Sequence, residues 1–150
     1  MEKTTNTLNN VLKRTKPDQV DAFLENHKGE LITGEKPFAQ YMRMCIRERG
    51  MQQQEVFIRA DLSEGYGYKI ISEEKHTNQR DTILRLCLGA NLTLEETQRA
   101  LKIYGMSPLY SRIPREAVIM VALNNGITNI ADVNAMLKQS NMTPLKGAES

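Results

Sequence analysis

The sequence predicts an all-α protein, and three observations support this fold class. Helix formers and helical periodicity dominate the chain, alternation of apolar and polar residues never continues beyond a few positions, and Val/Ile/Thr-rich runs bounded by glycine or proline are missing. A length of 150 residues corresponds to one ordinary domain, or to one small domain with an appended helical one. With 40% hydrophobic and 25% charged residues, the composition is that of a globular chain.

Two short amphipathic helices are predicted at the start of the chain. The first covers about residues 5–16 and places Leu8, Val11 and Leu12 at helical spacing. Pro17 is expected to open the second helix, because proline suits the first helical position. A glycine and proline break follows, so we expect an N-terminal helical segment over residues 1–36.

Five helices are predicted after this break, and their ends carry cap signals. We expect them at about 38–49, 52–61, 64–72, 80–88 and 94–104. Gly50 is predicted to stop the first helix as a left-handed cap, and Gly89 to end the fourth. Ser63 is predicted to cap the third helix, and Thr93 with Glu96 to open the fifth as a capping box.

Two further helices are predicted in the C-terminal part of the chain. Pro114 opens a helix that is apolar on more than one face, either because it is the central helix of a C-terminal bundle or because it forms a dimer interface. Thr128 is expected to cap the last helix. The tail from Thr143 is expected to fray.

Charge and hydropathy exclude several classes of protein. A formal net charge of +2 excludes the strongly basic type of nucleic-acid binder, although not a binder with a local basic patch. The longest apolar stretch, residues 117–123, is far shorter than the roughly 20 residues that cross a bilayer, and Met1–Asn10 is too polar for a signal peptide. We therefore expect a cytoplasmic protein with no membrane partner. Cys45 and Cys87 are predicted to be reduced thiols buried in the core.

No constellation of residues in the sequence predicts catalysis or metal binding. His27 and His76 lie in unrelated segments without Cys, Asp or Glu at ligand spacing. The pair Gly65 and Gly67 lacks the preceding strand and the later glycine of a phosphate-binding loop. We therefore expect no enzyme activity, no catalytic residue, no cofactor and no metal.

The second and third of the five helices are joined by a turn of about four residues, which is the helix-turn-helix arrangement. Over residues 38–92 the chain resembles the Xre or Cro/lambda-repressor-like family, and the residues that carry this resemblance are Arg49-Gly50-Met51, Gln53, Glu55, Val56, Ser63, Tyr66-Gly67-Tyr68-Lys69-Ile70 and Arg80-Asp81-x-Ile83-Leu84-Arg85-Leu86. The continuation looks like the helical extension found in a subset of such bacterial proteins. The resemblance implies a lambda-repressor-like helix-turn-helix domain over 37–105 and a helical extension over 106–150, packed as one unit.

This resemblance implies that the third helix lies in the major groove of double-stranded DNA. The positions that match base-reading residues are Glu64, Gly65, Tyr68 and Lys69. A carboxylate can accept a hydrogen bond from cytosine, and lysine can donate to guanine. The positions that match phosphate contacts are Gln53, Ser63, Tyr66, Lys75, His76, Asn78 and Arg80.

Two of these assignments have alternatives. Gly65 and Gly67 could bring the backbone close to DNA, or they could only let the third helix pack tightly on its neighbours. Tyr66 could donate its hydroxyl to a phosphate, or it could be a half-buried ring. Asp61 stands where the family usually has Gly, and because Asp tolerates the left-handed conformation we expect the turn to be preserved.

The charge of the module predicts how it would act. Residues 38–92 contain eight basic and seven acidic side chains, and Glu64, Glu73 and Glu74 lie on or beside the face expected to meet DNA. Phosphate neutralisation supplies most non-specific affinity, so a single copy is expected to bind weakly. The resemblance, taken with this charge, therefore implies a sequence-specific DNA-binding transcriptional regulator that acts as a homodimer. The alternative is a protein-interaction or adaptor module, in which the third helix faces a protein partner.

Overall fold

The computed structural model describes residues 5–32 and 34–147, and these residues form helices with no strand among them. The all-α prediction is confirmed for this part of the chain. The α-helices are α1 (Thr5–Arg14), α2 (Val20–Asn26), α3 (Pro37–Glu48), α4 (Gln53–Ala60), α5 (Glu64–Ile71), α6 (Arg80–Gly89), α7 (Leu94–Ile103), α8 (Pro114–Asn124) and α9 (Ile130–Gln139). The chain divides into two compact units, which we call unit 1 (Met1–Glu35) and unit 2 (Lys36–Ser150).

Unit 1 consists of α1 and α2 with two short 3-10 turns. Pro17 begins a 3-10 turn, Pro17–Gln19, and α2 starts only after it. The ring of Phe23 contacts the imidazole of His27 at a centroid distance of 4.7 Å. The His27 ring is oriented by Glu30, whose Oε1 lies 3.1 Å from Nδ1.

The core of unit 2 is built around α6, which is buried on all sides. Every residue from Thr82 to Gly89 is buried, whereas the other helices bury one face. A Cβ atom on Gly89 would lie 2.6 Å from the carbonyl oxygen of Val56, so glycine is what allows α4 to approach this closely. Cys45 and Cys87 are unbridged and buried in this core, as predicted.

Most predicted helix ends are confirmed. Gly50 is left-handed after α3, Ser63 caps α5 by accepting from the Tyr66 N–H, and Thr93 with Glu96 forms the capping box of α7. Gly89 is the last residue of α6, as predicted, but its own conformation is not left-handed. Asn91 takes the left-handed conformation instead, with φ of 58°.

The predicted cap of the last helix was wrong by one residue. Asn129 caps α9, and its Oδ1 accepts from the Asp132 N–H at 3.1 Å. The Thr128 hydroxyl is used elsewhere, because it donates to Asn91 Oδ1 at 2.8 Å and accepts from Arg59 Nη2 at 3.2 Å. Thr128 therefore joins the end of α4 to the turn after α6.

Helix α8 buries only one of its apolar faces. Ile119, Ala122 and Leu123 are buried, whereas the side chain of Val121 is 52% exposed. Helix α8 packs on α7 and α9, which fits a central position within the C-terminal helices, and it leaves the face around Val121 exposed.

The segment 143–146, which we call the C-terminal strap, is held in place and was wrongly expected to fray. Arg85 of α6 donates from Nε to the carbonyl of Lys146 at 2.8 Å and from Nη2 to the carbonyl of Leu145 at 3.1 Å. The same guanidinium donates from Nη1 to the carbonyl of Ala60 at 3.1 Å. Arg85 is 5% exposed, so these carbonyls replace its water shell.

A second arginine holds the other half of the strap. Arg115 of α8 donates to the carbonyls of Thr143 and Pro144, each at 3.0 Å. Its guanidinium also pairs with both carboxylate oxygens of Asp81, at 3.0 and 2.8 Å, and Asp81 Oδ2 accepts from the Lys146 N–H at 2.8 Å. Bidentate pairs of this kind are geometrically specific.

The Leu145 side chain, 3% exposed, should make the strap a contributor to stability. We expect Leu145→Ala to lower the free energy of unfolding by about 2–5 kcal/mol, because it removes buried apolar contacts and leaves a cavity. Val121→Ala on the exposed face of α8 is the matched control and should change it by no more than about 0.5 kcal/mol. Urea denaturation measures the free energy of unfolding of both variants. An equally small change in the two would show that the strap is not part of the folded core.

The Asp81 contacts predict a pH dependence. Burial alone would raise the pKa of Asp81, but the hydrogen bonds from Arg115 and from the Lys146 N–H lower the pKa below its ordinary value. A carboxyl with a lowered pKa stabilises the fold above its unfolded pKa of about 3.9 and loses this contribution as the pH falls through the folded value. The stability difference between wild type and Asp81→Asn should therefore be largest near neutral pH and shrink below about pH 4. Denaturation curves of both proteins over this pH range measure the difference in free energy of unfolding. A difference that does not change with pH would contradict the lowered pKa of Asp81.

Candidate functional site

Helix α5 has one buried face and one exposed face. Its buried residues are Tyr66, Gly67, Ile70 and Ile71. The four predicted base-reading residues are exposed, and these are Glu64, Gly65, Tyr68 and Lys69. Because their spacing is i, i+1, i+4 and i+5, they share one side of the helix. The structure therefore brings these four residues together on a surface that no described residue covers.

The turn before α5 has the conformation that the sequence predicted. Residues 61–63 join α4 to α5, and Asp61 is left-handed with φ of 56°. Leu62 is buried and anchors the turn, while the Ser63 Oγ accepts from the Tyr66 N–H at 3.4 Å. The orientation of α5 is thus set by the end of α4.

The two glycines of α5 have different environments. A Cβ atom on Gly67 would lie 2.8 Å from Cγ of Phe57, and Phe57 is only 2% exposed, so its ring has little room to move. Gly67 is therefore explained by internal packing. A Cβ atom on Gly65 would meet nothing within 4 Å, so no contact inside the protein requires glycine there.

A groove of about 620 Å³ lies beside the exposed face of α5. Its lining residues come from the start of α4 and from α5, and they are Gln52, Gln53, Gln54, Phe57, Glu64, Gly65 and Tyr68. The Oε1 atom of Gln53 is buried without a hydrogen-bond partner among the described residues. Gln52, at the N-cap of α4, makes no side-chain cap hydrogen bond. Backbone N–H groups of the first turn of α4 are therefore available to an external acceptor.

Sequence reasoning identified Gln53 but missed Gln52, Gln54 and Phe57 as groove residues. The spacing of these residues could have indicated them, because Phe57 lies one helical turn after Gln53 and Gln54 is next to Gln53 in the sequence. The contribution of Phe57 depends on its contact with α5, which local sequence does not reveal.

The loop after α5 presents the other polar candidates. Lys75, His76 and Asn78 are exposed. The Lys75 ammonium lies 5.2 Å from the centroid of the Tyr66 ring, and the His76 ring stacks on Tyr104 at 4.7 Å. These ring contacts give the loop side chains defined positions.

Tyr66 itself corresponds to the ring alternative, not to a phosphate donor. Its side chain is 7% exposed and lies under Lys75, so it is more deeply buried than the half-buried ring that the sequence suggested. We leave Tyr66 out of the candidate surface.

Arg80 is the clearest departure from the predicted phosphate contacts. Its Nε lies 2.9 Å from Glu116 Oε2, and its Nη2 lies 3.2 Å from Glu116 Oε1. The same guanidinium donates to the carbonyls of Ser107 at 2.6 Å and Pro108 at 3.1 Å. Arg80 therefore joins α6 to the segment before α8, and binding a phosphate would break these hydrogen bonds.

The three carboxylates expected beside the surface are not equivalent. Glu73 Oε2 accepts from the Ala39 N–H at 3.1 Å, so this carboxylate lies at the start of α3 and favours that helix end. Glu64 is the first residue of α5, where a negative charge is also favoured, and Glu74 is exposed. Fewer uncompensated negative charges face the groove than the sequence count suggests.

Residues 5–32 and 34–147 contain neither a metal-binding cluster nor a membrane-spanning helix. No three side chains of His, Cys, Asp or Glu lie close enough together there to bind a metal ion. No helix in that part of the chain has both the length and the apolar character of a membrane span.

The two glycines of α5 give a matched pair of variants. Gly67→Ala should lower the free energy of unfolding by about 1–3 kcal/mol, because the added methyl group forces the Phe57 ring to shift in a packed core. Gly65→Ala should leave stability unchanged or raise it by up to about 1 kcal/mol, because Ala favours helix. Thermal or urea denaturation of both variants measures this. Similar destabilisation by the two would show that Gly65 also has an internal packing role.

Comparisons of the chain with protein-family models, with curated proteins and with solved structures found no match. The function of the α5 surface is therefore inferred from its residues and their geometry. The surface combines an exposed helix face, a polar groove and two lysines, Lys69 and Lys75.

Proposed function

We propose that this protein is a sequence-specific DNA-binding regulator, and that α5 reads base edges from the major groove as the second helix of a helix-turn-helix. The observation that carries the proposal is the exposed face of α5, where Gly65 has no internal packing role. An α-helix fits the major groove, which is about 12 Å wide, when its backbone can approach closely. A glycine in the first turn allows such an approach, because no side chain separates the backbone from the ligand.

The side chains beside Gly65 have suitable chemistry for base recognition. Lys69 can donate to O6 and N7 of guanine, and Glu64 can accept from the amino group of cytosine. Tyr68, 46% exposed, offers a ring to a thymine methyl group and a hydroxyl to a polar edge. A donor, an acceptor and an apolar group on one helix face are what discrimination between base pairs requires.

Contacts with the phosphate backbone of DNA would come from the two ends of this surface. Gln53 and the first N–H groups of α4 lie at one end, in a position where the helix dipole favours an anion. Ser63 retains its hydroxyl proton as a donor, and Lys75, His76 and Asn78 lie at the other end in the loop after α5. Phosphate contacts of this kind set the register of a protein on DNA.

The modest positive charge favours two copies acting together. A few cationic contacts per copy give weak affinity at physiological salt, because phosphate neutralisation supplies most of the non-specific binding energy. A dimer doubles these contacts and reads two half-sites about 34–36 Å apart.

A second candidate function is protein recognition by the same region. Ile58 on α4 is 73% exposed, the most exposed of the large apolar side chains in the described residues. It lies one turn after Gln54, which lines the groove. An adaptor would bury Ile58 and Tyr68 against a partner, whereas DNA binding does not need Ile58.

Selection from a random duplex DNA library at moderate salt tests the leading proposal with the full chain. We expect an enriched motif with two half-sites. Lys69→Ala should weaken binding by about 1–3 kcal/mol and relax specificity at one position in each half-site, because one base contact is lost. Gly65→Ala should weaken binding without lowering stability.

The matched control is Lys102→Ala on the exposed side of α7, which removes the same charge far along the chain from α5. It should leave the selected motif and the affinity unchanged. A folded protein that enriches no motif would remove the DNA proposal and leave the protein-recognition alternative, for which Ile58→Asp is the first variant to test.

A further inference from the structure

We propose that unit 1 is a self-association element, and that it binds unit 1 of a second copy of this chain. This interface would join the two copies of the dimer in the proposed function, and the inference rests on the proposal that the protein acts as a dimer. Association is measured without DNA, so failure to dimerise and failure to bind DNA are separate results.

The first argument is the small core of unit 1. Among the described side chains of this unit, Phe23 alone is buried. Units below about 40 residues need a disulfide, a metal or oligomerisation to be stable. Both cysteines of the chain lie in unit 2, and His27 is paired with Glu30 in a region where no metal-binding cluster was found among the described residues. Oligomerisation is the means among these three that the exposed surface of unit 1 supports.

The second argument is the apolar surface of the unit. Leu12 is 48% exposed, and Val20 and Leu24 are each 47% exposed. Val20 and Leu24 are one helical turn apart, so they share a face of α2. Single exposed apolar side chains are normal, but three in so small a unit, two of them adjacent, form a surface suited to burial against a partner.

The third argument is charge complementarity, which selects the occupant. Lys13 and Arg14 at the end of α1, with Lys16 two residues after it, form a basic block. An acidic block follows in Asp18, Asp21 and Glu25, and all six side chains are exposed. In a two-fold interface the same patch meets itself in opposite orientation, so the basic block of each copy faces the acidic block of the other.

The pairing of Glu25 does not prevent this arrangement. Its contact with Lys28 at 3.3 Å involves two side chains that are each 74% exposed, and exposed pairs of this kind are weak. Glu25 can therefore exchange partners when a second copy approaches.

The mass of the intact chain in solution is the first test. Light scattering after size exclusion should give twice the mass of one chain at micromolar concentration. Val20→Glu with Leu24→Glu should reduce it to one chain, because buried like charges oppose association. The control is Val121→Glu on the exposed face of α8, which should leave the dimer intact.

A monomeric wild type at every concentration would overturn the proposal, and so would a dimer that survives the double substitution or is broken by Val121→Glu. Circular dichroism accompanies each measurement. The substituted side chains are exposed, so each variant should retain the helix content of the wild type.

Complementary charge reversals give the second test. A chain with Lys13→Glu and Arg14→Glu, and a chain with Asp18→Lys and Asp21→Lys, should each dimerise at least about tenfold more weakly than wild type, because like charges then face each other. An equimolar mixture of the two should regain wild-type mass as a heterodimer. If mixing restores nothing, the basic and acidic blocks do not meet across the interface and the proposal is rejected.

Discussion

The crossing of α4 and α6 is the contact on which the second unit depends. Gly89 lets the two backbones approach until a side chain would no longer fit, and two arginines join the helices there. Arg59 donates to the carbonyl of Gly89 at 2.9 Å, and Arg85 donates to the carbonyl of Ala60. Because Ala60 is the last residue of α4, this crossing sets where the turn begins and how α5 is presented. Hydrogen bonds from charged donors to buried carbonyls are among the stronger ones in proteins.

Local features of the fold were predictable from sequence because their causes are local. The left-handed Gly50, the Ser63 cap and the Thr93–Glu96 capping box each depend on residues within one turn, and all three are present. The exposed face of α5 was predictable for the same reason, since helical spacing decides which residues share a side. What the face binds is a separate matter that spacing alone does not decide.

Features that depend on distant residues were missed or misplaced. Arg80 looks like a free cation in sequence, and only the folded chain brings Glu116 to it from 36 positions away. The strap looks like a polar tail, yet its contacts with Arg85 span 60 positions or more. Several arginines of unit 2 are in this way used internally. The number of basic residues in the sequence therefore overstates the cations that a partner meets, and the exposed cations of the candidate surface are the lysines Lys69 and Lys75.

The strap also constrains the order in which the fold is completed during synthesis. Domains form as their chain emerges, from the N-terminal side onward. Ala60 and Arg85 emerge well before residues 143–146, so the Arg85 guanidinium at first lacks two of its three carbonyl acceptors. A nascent chain that stops short of the strap would leave this charge in the core without its full set of partners, which is costly. Chains that stop before residue 143 should therefore be less stable where Arg85 meets the end of α4, and the strap completes this contact only when the last residues of the chain arrive.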